Sequence, residues 1–145
     1  MKISTKGRYA LRLMLELALH DANQWVSVKE IARNQEISGK YLEQIITQLH
    51  RAMLVQSVRG AQGGYRLAIK PEEITVGMVL RAVEGELAPV SCLEGENRCP
   101  RQETCVTLEV WQKIQEAISS VVDHLTLWDL VCRYNEKQSE NENIC

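Results

Sequence analysis

The segment 55–69, VQSVRGAQGGYRLAI, places the strongest constraint on how this chain can fold. Two β-prone runs, at 55–59 and 65–69, flank a glycine-rich turn at 60–64, and this pattern is typical of a β-hairpin. Three segments of helical character precede it. Three helices followed by a hairpin is the order of a winged helix-turn-helix, so we predict a mainly α fold with a small β-hairpin wing.

The three helical segments before the hairpin are marked by capping residues. Apolar residues recur at helical spacing over 5–20, which predicts a first helix with one broad buried face. Ser27 opens a capping box, S-V-K-E, so a short second helix is expected at about 28–35. Ser38 is the N-cap candidate for a third helix at 39–53, and a tight link joins the two, as a helix-turn-helix requires. The third helix is expected to turn these residues inward: Leu42, Ile45, Ile46, Leu49 and Met53.

A second long helix is predicted at 106–124. Its apolar residues are spaced three and four apart and form a seam of the kind found between paired helices. Because DNA-binding winged helices commonly read two half-sites as dimers, we predict a homodimer formed through this seam. The alternative is that the helix packs against its own domain. The seam consists of Trp111, Ile114, Ile118, Val121 and Leu125.

The sequence divides into four parts. Residues 1–85 are predicted to form the winged helix-turn-helix DNA-binding domain, and residues 86–105 a loop that contains cysteines. Residues 106–134 are predicted to hold the dimerisation helix and a short terminal helix. Residues 135–145 form a polar tail that we expect to be disordered.

The first apolar run does not have the pattern of a targeting segment. Arg12 and Glu16 interrupt it, and no small-residue cleavage site follows. No run of about 18 apolar residues occurs in the chain, so no transmembrane helix is expected. We therefore expect a cytoplasmic protein.

Charge is distributed unevenly along the chain. Residues 1–70 carry 11 Lys and Arg against 5 Asp and Glu, a net charge of +6, whereas residues 71–145 carry a net charge of −8. A basic first half suits a polyanion such as double-stranded DNA. From charge alone, an uneven distribution on a solvated surface is an equally good interpretation. The motifs must therefore decide whether the basic half binds a polyanion.

The third helix is the candidate recognition helix, which would lie in the major groove of DNA. Side chains near its N-terminus are predicted to hold the DNA backbone. Those one turn further are predicted to reach base edges, where Gln suits adenine and Glu accepts from the cytosine amino group. The backbone set is Ser38, Lys40 and Tyr41, and the base-reading set is Glu43, Gln44 and Thr47.

Glu43 is an unusual residue for a DNA-facing surface. A carboxylate near phosphates is repelled unless its base partner is present, so Glu43 is expected to select against wrong sites. The equally weighted alternative is an exposed glutamate that merely favours the helix.

Basic residues outside the third helix complete the predicted DNA interface. Arg59 and Arg66 flank the wing, and Arg59 with Gly60 at the tip is expected to enter the minor groove, where the negative potential attracts arginine. The alternative is an ordinary solvated hairpin. Lys6 and Arg8 begin the first helix, where the helix dipole disfavours cations, so we predict that they contact phosphates.

Three of the five cysteines, Cys92, Cys99 and Cys105, fall within fifteen residues of one polar loop. Their spacing, C-x6-C-x5-C, is wider than the pairs that bind structural zinc. Three thiolates from one loop suit an iron–sulfur cluster, which accepts wider spacing, and an incomplete ligand set suits a labile sensor. Cys132 is expected to be a core residue of the last helix, and Cys145 incidental.

An enzyme is not expected. The three histidines stand in no Cys–His or Ser–His motif. The glycine-rich turn at 60–64 joins two strands, whereas a phosphate-cradling loop must precede a helix.

The sequence resembles the Rrf2 family of bacterial winged-helix transcription regulators, and most closely its iron–sulfur cluster regulators. The opening "MKISTKGRYALRLMLELA", the run "ISGKYLEQII", the wing "VRGAQGGYRLA", the connector "ITVGMVLRAVEG" and the cysteine loop before "LTLWDL" carry the resemblance. Together they cover about residues 1–132.

The resemblance implies a homodimer that binds double-stranded operator DNA and represses genes for cluster assembly. It also implies one [2Fe–2S] cluster per subunit, ligated by Cys92, Cys99 and Cys105, although some relatives hold a [4Fe–4S] cluster. A cluster-free regulator that senses thiol redox state, or a partner from cysteine metabolism, is the alternative within the same family.

The sequence departs from the family pattern at the fourth ligand. Where cluster-binding relatives carry a His three residues after the last Cys, this chain has Leu108, and where nitric-oxide-sensing relatives carry an Asp on the first helix, it has Arg8. The fourth ligand is therefore unassigned, with Glu103, Thr107, Glu109, a partner-chain group, water or a small thiol as candidates.

Overall fold

The computed structural model describes residues 2–96 and 99–139. Within them the chain forms six α-helices and one two-stranded antiparallel hairpin, the mainly α winged helix-turn-helix fold that the sequence predicts. Short 3-10 turns lie at Pro71–Glu73 and Ser91–Leu93. The elements are α1 (Thr5–Leu19), α2 (Val28–Gln35), α3 (Gly39–Arg51), β1 (Val55–Val58), β2 (Gly64–Leu67), α4 (Val76–Glu84), α5 (Val106–Val122) and α6 (Leu127–Gln138).

The link between α2 and α3 is as tight as predicted. The Ser27 hydroxyl accepts from the Glu30 backbone N–H at 3.1 Å, and the Ser38 hydroxyl accepts from the Tyr41 N–H at 3.2 Å. Such caps satisfy N–H groups that have no partner within the helix. Between the helices, Glu36 adopts a left-handed conformation with φ 56°. This one residue turns the chain from α2 into the candidate recognition helix.

The hydrophobic core lies between α1, α3 and α4 and reaches the first turn of α6. Fully burying one Leu, Ile or Met side chain stabilises a fold by about 1.5–3 kcal/mol. The buried side chains of the core therefore hold α3 at a defined angle to α1. The residues with no exposed surface include Leu13, Met14, Leu42, Ile45, Leu49, Ile74 and Leu127.

The hairpin is joined to the segment before α2 as well as to itself. Its register runs from Val55 opposite Leu67 to Val58 opposite Gly64. Val26 exchanges two backbone hydrogen bonds with Tyr65, at 2.9 and 2.8 Å. A Cβ at Gly64 would overlap the Val26 carbonyl, so glycine is required for this close approach. The wing is thus anchored beside the start of α2.

The chain that follows the C-terminal end of α5 contacts α4, the helix that precedes the cysteine loop. The Val76 N–H donates to the Leu125 carbonyl at 2.8 Å, and the Leu127 N–H donates to the Ile74 carbonyl at 2.9 Å. Arg81 of α4 also forms a two-pronged ion pair with Asp123, at 2.5 and 3.0 Å. The N-terminal half of the chain and the C-terminal end of α5 are therefore connected through α4.

Two predictions about element ends are wrong. Met53 does not face inward on the third helix, because α3 ends at Arg51 and Met53 adopts φ 62° with 77% of its surface exposed. Asn135–Gln138, predicted to belong to a disordered tail, continue α6. A capping box at Thr126 and the Arg133–Glu136 ion pair at 3.1 Å favour this longer helix.

The remaining part of the predicted tail, 140–145, including Cys145, lies outside the described residues. Cys132 is half-buried on α6 rather than fully in the core. No helix in the described part of the chain is both long and apolar enough to cross a membrane.

Candidate nucleic-acid interface and cysteine loop

The candidate recognition helix presents the polar face that the sequence predicts. Lys40, Glu43, Gln44 and Thr47 are exposed, whereas the apolar residues of α3 are buried on the opposite side. The Thr47 hydroxyl donates to the Glu43 carbonyl at 2.8 Å, which ties that side chain to its own helix. The orientation of this face is confirmed, and its contact with DNA stays a prediction.

Two of the residues predicted to hold the DNA backbone have structural contacts. The Ser38 hydroxyl is engaged in capping α3. The Tyr41 ring meets the Tyr9 ring edge-on, with centroids 5.8 Å apart, and Arg12 lies over the Tyr9 ring at 5.4 Å. Edge-to-face packing of this kind is favourable, so Tyr41 joins the recognition helix to α1.

A buried carboxylate that sequence reasoning missed joins α1 to α2. Glu16 accepts hydrogen bonds from the Asn34 amide at 2.6 Å and the Gln35 amide at 2.8 Å, and it contacts His20 at 3.4 Å. Burial raises the pKa of Glu16, but these hydrogen bonds outweigh it and hold the pKa below its ordinary value. Arg12 donates to the Gln35 carbonyl at 2.6 Å and so caps the end of α2.

The wing places its two arginines in different environments. Arg59 and Gly60 are exposed at the tip, where Gly60 has φ 116°. Arg66, in contrast, lies over the Trp25 ring at 4.1 Å and donates to Gln56 at 3.3 Å. Arg66 therefore has a structural contact, while Arg59 is displayed outward. Sequence reasoning did not single out Trp25, because its partner is 41 residues away along the chain.

The N-terminal end of α1 carries the other predicted phosphate-binding residues. Arg8 is exposed and donates to the Thr5 hydroxyl at 3.0 Å, and Lys6 is half-buried. The Ser4 hydroxyl caps the helix by accepting from the Gly7 N–H at 3.1 Å. The first turn of α1 contains no acidic residue, so nothing within it neutralises these cations.

The three loop cysteines lie at separate points along the loop. Cys92 is exposed in the 3-10 turn 91–93, Cys99 is exposed at the start of a turn, and Cys105 is the half-buried N-cap residue of α5. Among the described residues, no three His, Cys, Asp or Glu side chains are gathered closely enough to hold a metal ion. The structure thus places the thiols on one surface loop without bringing them together.

Cys105 has the most structured surroundings of the three cysteines. The Thr107 hydroxyl lies 3.2 Å from its Sγ, and this contact, with the Leu108 backbone N–H, lowers the pKa of the Cys105 thiol. A polar depression beside it is lined by Glu103 and Glu109. Leu108, three residues after Cys105, is only 7% exposed and is therefore part of the packing.

Helix α5 is largely uncovered. Within α5, which is described throughout, only Leu108 is buried. Val106 is 74% and Val121 61% exposed, and a groove of about 590 Å³ runs along the helix beside the start of α1 and the end of α4. Of the predicted seam, Ile114, Val121 and Leu125 are exposed, whereas Trp111 and Ile118 are half-buried; the exposed face also includes Val106 and Val110.

Known proteins resemble the chain over nearly its whole length. Residues 3–133 match the family model described as "Rrf2: Iron-dependent Transcriptional regulator". The chain is 41% identical to the HTH-type transcriptional regulator IscR of Aliivibrio salmonicida, covering 99% of this chain and 86% of that protein.

Two solved structures are similar in fold and in sequence. The IscR of T. potens is 42% identical with a TM-score of 0.78, over 96% of this chain and 92% of that one. CymR, the global cysteine regulator of B. subtilis, is 44% identical with a TM-score of 0.75, over 90% and 96%. Regulators of both names are thus about equally similar to this chain. The winged helix-turn-helix fold and these matches show that the chain belongs to the Rrf2 family of DNA-binding transcription regulators.

Proposed function

We propose that this regulator acts as a cytoplasmic homodimer whose operator binding is controlled by an iron–sulfur cluster on the cysteine loop, and that it represses genes for cluster assembly. The observation that carries the proposal is the position of the three thiols. They lie on one exposed loop directly between α4 of the DNA-binding half and the uncovered helix α5. A change at this loop acts on both neighbours.

The DNA would be read by α3 in the major groove, with the wing beside it. Gln44 suits adenine, Glu43 accepts from cytosine, and Lys40 supplies charge to the backbone. Arg59 at the exposed wing tip would enter the minor groove, and Lys6 and Arg8 would bind phosphates. All of these residues lie in the basic half of the chain, and all except the half-buried Lys6 are exposed.

The homodimer would form by covering α5 with the α5 of a second copy. Exposed Val106, Val110, Ile114 and Val121 give the helix an apolar face that one domain leaves open to water. Burying such a face stabilises association by about 25 cal/mol per Å² of apolar surface. The groove beside α5 is lined on one side by Leu80 and Leu87 and provides the matching surface.

The donor set fits an iron–sulfur cluster, because thiolates are its usual ligands and all three thiols belong to one loop. Cys92, Cys99 and Cys105 would hold a [2Fe–2S] cluster, one per subunit, or a [4Fe–4S] cluster. The occupancy of such a site would respond to oxidants and to the supply of iron. The lowered pKa of Cys105 favours the thiolate that ligation needs. Glu103 and Glu109 beside it are candidates for the fourth ligand.

A second candidate function is favoured by a specific observation. CymR, the global cysteine regulator of B. subtilis, is about as similar to this chain as the IscR of T. potens is. The three thiols are also not gathered into a metal site among the described residues. The cluster-free alternative is a regulator whose loop senses thiol redox state or a cysteine-metabolism partner.

One experiment separates the two functions. The protein is purified without oxygen, its visible spectrum and its iron and sulfide content are measured, and metal-free and loaded forms are titrated against its own upstream DNA at fixed salt. Colour, and different affinities of the two forms, support cluster sensing. A protein that stays colourless after reconstitution but binds the DNA supports the cluster-free alternative.

A further inference from the structure

Glu84, the last residue of α4, makes a contact that neither the DNA interface nor the cysteine loop accounts for. Its carboxylate accepts from the Ser4 backbone N–H at 3.2 Å and also from the Ser4 hydroxyl. Ser4 is the N-cap of α1, and the same hydroxyl accepts from the Gly7 N–H. The carboxylate at the end of one helix thus completes the cap at the start of another.

Two sequence features are locally unfavourable without this contact. A carboxylate at the C-terminal end of α4 is repelled by that end of the helix dipole, but it is attracted by the N-terminal end of α1. Gly7 lies inside α1, where glycine is less favourable than alanine. A Cβ at Gly7 would overlap the carboxylate of Glu84, so glycine permits the two helix ends to meet. The glutamate at the end of α4 and the glycine inside α1 are both explained if the contact between Glu84 and Ser4 is required for function.

Glu84 also occupies a position between the loop and the DNA-facing cations. It directly precedes Gly85, which has φ 82° and leads into the loop, and it lines the α5 groove. On its other side, Lys6 and Arg8 follow Ser4 in the first turn of α1. A displacement at Gly85 therefore reaches the phosphate-binding end of α1 through one side chain.

We propose that Glu84 is a positioning residue that transmits the state of the cysteine loop to the N-terminal turn of α1. This inference rests on the proposed function and names its internal route. When the loop moves Gly85, the carboxylate leaves Ser4, and the cap that orders the first turn of α1 is lost. Lys6 and Arg8 then lose the fixed positions from which they bind phosphate.

The test uses two variants that break the contact in different ways. Glu84→Ala removes the carboxylate. Gly7→Ala keeps the carboxylate but displaces it from Ser4, while alanine favours the helix itself. The control is Glu72→Ala, which removes an exposed carboxylate from the turn 71–73. Melting temperatures show whether each variant remains folded, and Gly7→Ala serves if Glu84→Ala does not fold.

The readout is amide hydrogen exchange of the first turn of α1, compared between reduced protein and protein whose loop thiols are labelled with N-ethylmaleimide. In wild type and the control, labelling should change the exchange rate by about fivefold or more, the lower range of coupling between sites. In Glu84→Ala and Gly7→Ala the change should nearly vanish. A response retained in both variants, or no response in wild type, overturns the inference.

The same proteins are titrated with the upstream DNA. Failure of wild type to bind would overturn the proposed function, while the exchange rates still decide the role of Glu84. If the wild-type protein binds the DNA but labelling does not change its amide exchange, DNA binding is supported and the role proposed for Glu84 is excluded.

Discussion

The Arg66 guanidinium lies 4.1 Å above the centroid of the Trp25 ring and holds the base of the wing against the segment that leads into α2. Arg59, on the other side of the same turn, remains exposed. A cation over an indole face is stabilised by the ring's electron density. The two arginines of the hairpin therefore differ in their surroundings, although they look alike in the sequence.

Arg59→Ala should weaken operator binding without loss of fold. Removing one cation that contacts DNA should lower the slope of log affinity against log salt by about one. Arg66→Ala should instead lower the melting temperature, because it removes the contact with Trp25. Fluorescence anisotropy at several salt concentrations measures the slope, and an unchanged affinity of Arg59→Ala contradicts the wing assignment.

Glu43→Ala should relax discrimination between operator sequences. Loss of the carboxylate removes repulsion at sites without a suitable base partner, so binding to altered operators should strengthen relative to the best site by about 1–3 kcal/mol. Competition titrations with single-base operator variants measure this difference. If the preference is unchanged, Glu43 is an exposed helix residue with no role in selection.

Cys99→Ala should abolish cluster binding if the loop is a cluster site, since it removes one of three thiol ligands. Ser91→Ala is the matched control, because it changes an exposed side chain of the same loop without removing a thiol. Iron and sulfide counts with the visible spectrum after reconstitution provide the measurement. A fully loaded Cys99→Ala protein would show that Cys99 is not a ligand.

Val121→Asp should dissociate the proposed homodimer. The side chain is 61% exposed on α5, so a carboxylate there leaves the single domain intact but would be buried unpaired between two copies. We expect the dimer affinity to fall by about two orders of magnitude. Ser120→Asp, on the adjacent exposed position, should leave the dimer intact. Sedimentation velocity distinguishes the two, and a dimeric Val121→Asp protein would place the interface elsewhere.

Glu16 should make the protein sensitive to acid. Its folded-state pKa is lowered, so its contribution to the free energy of unfolding is present above the ordinary carboxyl pKa and is lost as pH falls through the folded value. Glu16→Gln should be less stable near neutral pH but should lose less stability between about pH 5 and pH 3. Urea unfolding across this range tests it. Parallel pH curves for the two proteins would exclude Glu16 as the titrating group.

The local parts of the fold were predictable from the sequence. Ser27 and Ser38 cap helices at the expected places, because a cap depends on residues only three positions away. The hairpin and the polar face of α3 follow equally from local spacing. Met53 was misplaced because its spacing continues the helical pattern, whereas its backbone has already left the helix.

The contacts that join elements were not predictable in the same way. Glu16 looks like an interruption in an apolar run until Asn34 and Gln35 are seen beside it. Glu84 looks like an ordinary helix-ending residue until Ser4 is found 80 positions away. The three cysteines were found by spacing, but their separation on the loop depends on the path of the chain between them.

The paired hydrogen bonds at Val76 and Leu127 have an evolutionary consequence. The chain leaves α4 at its C-terminal end and returns to its N-terminal end. Both ends of the segment that contains the cysteines and α5 are therefore held by one helix. Lengthening a segment closed in this way costs little, since loop-closure entropy grows only with the logarithm of its length. Such a segment can change in length and sequence, and so respond to a different chemical signal, while the DNA-binding domain stays the same.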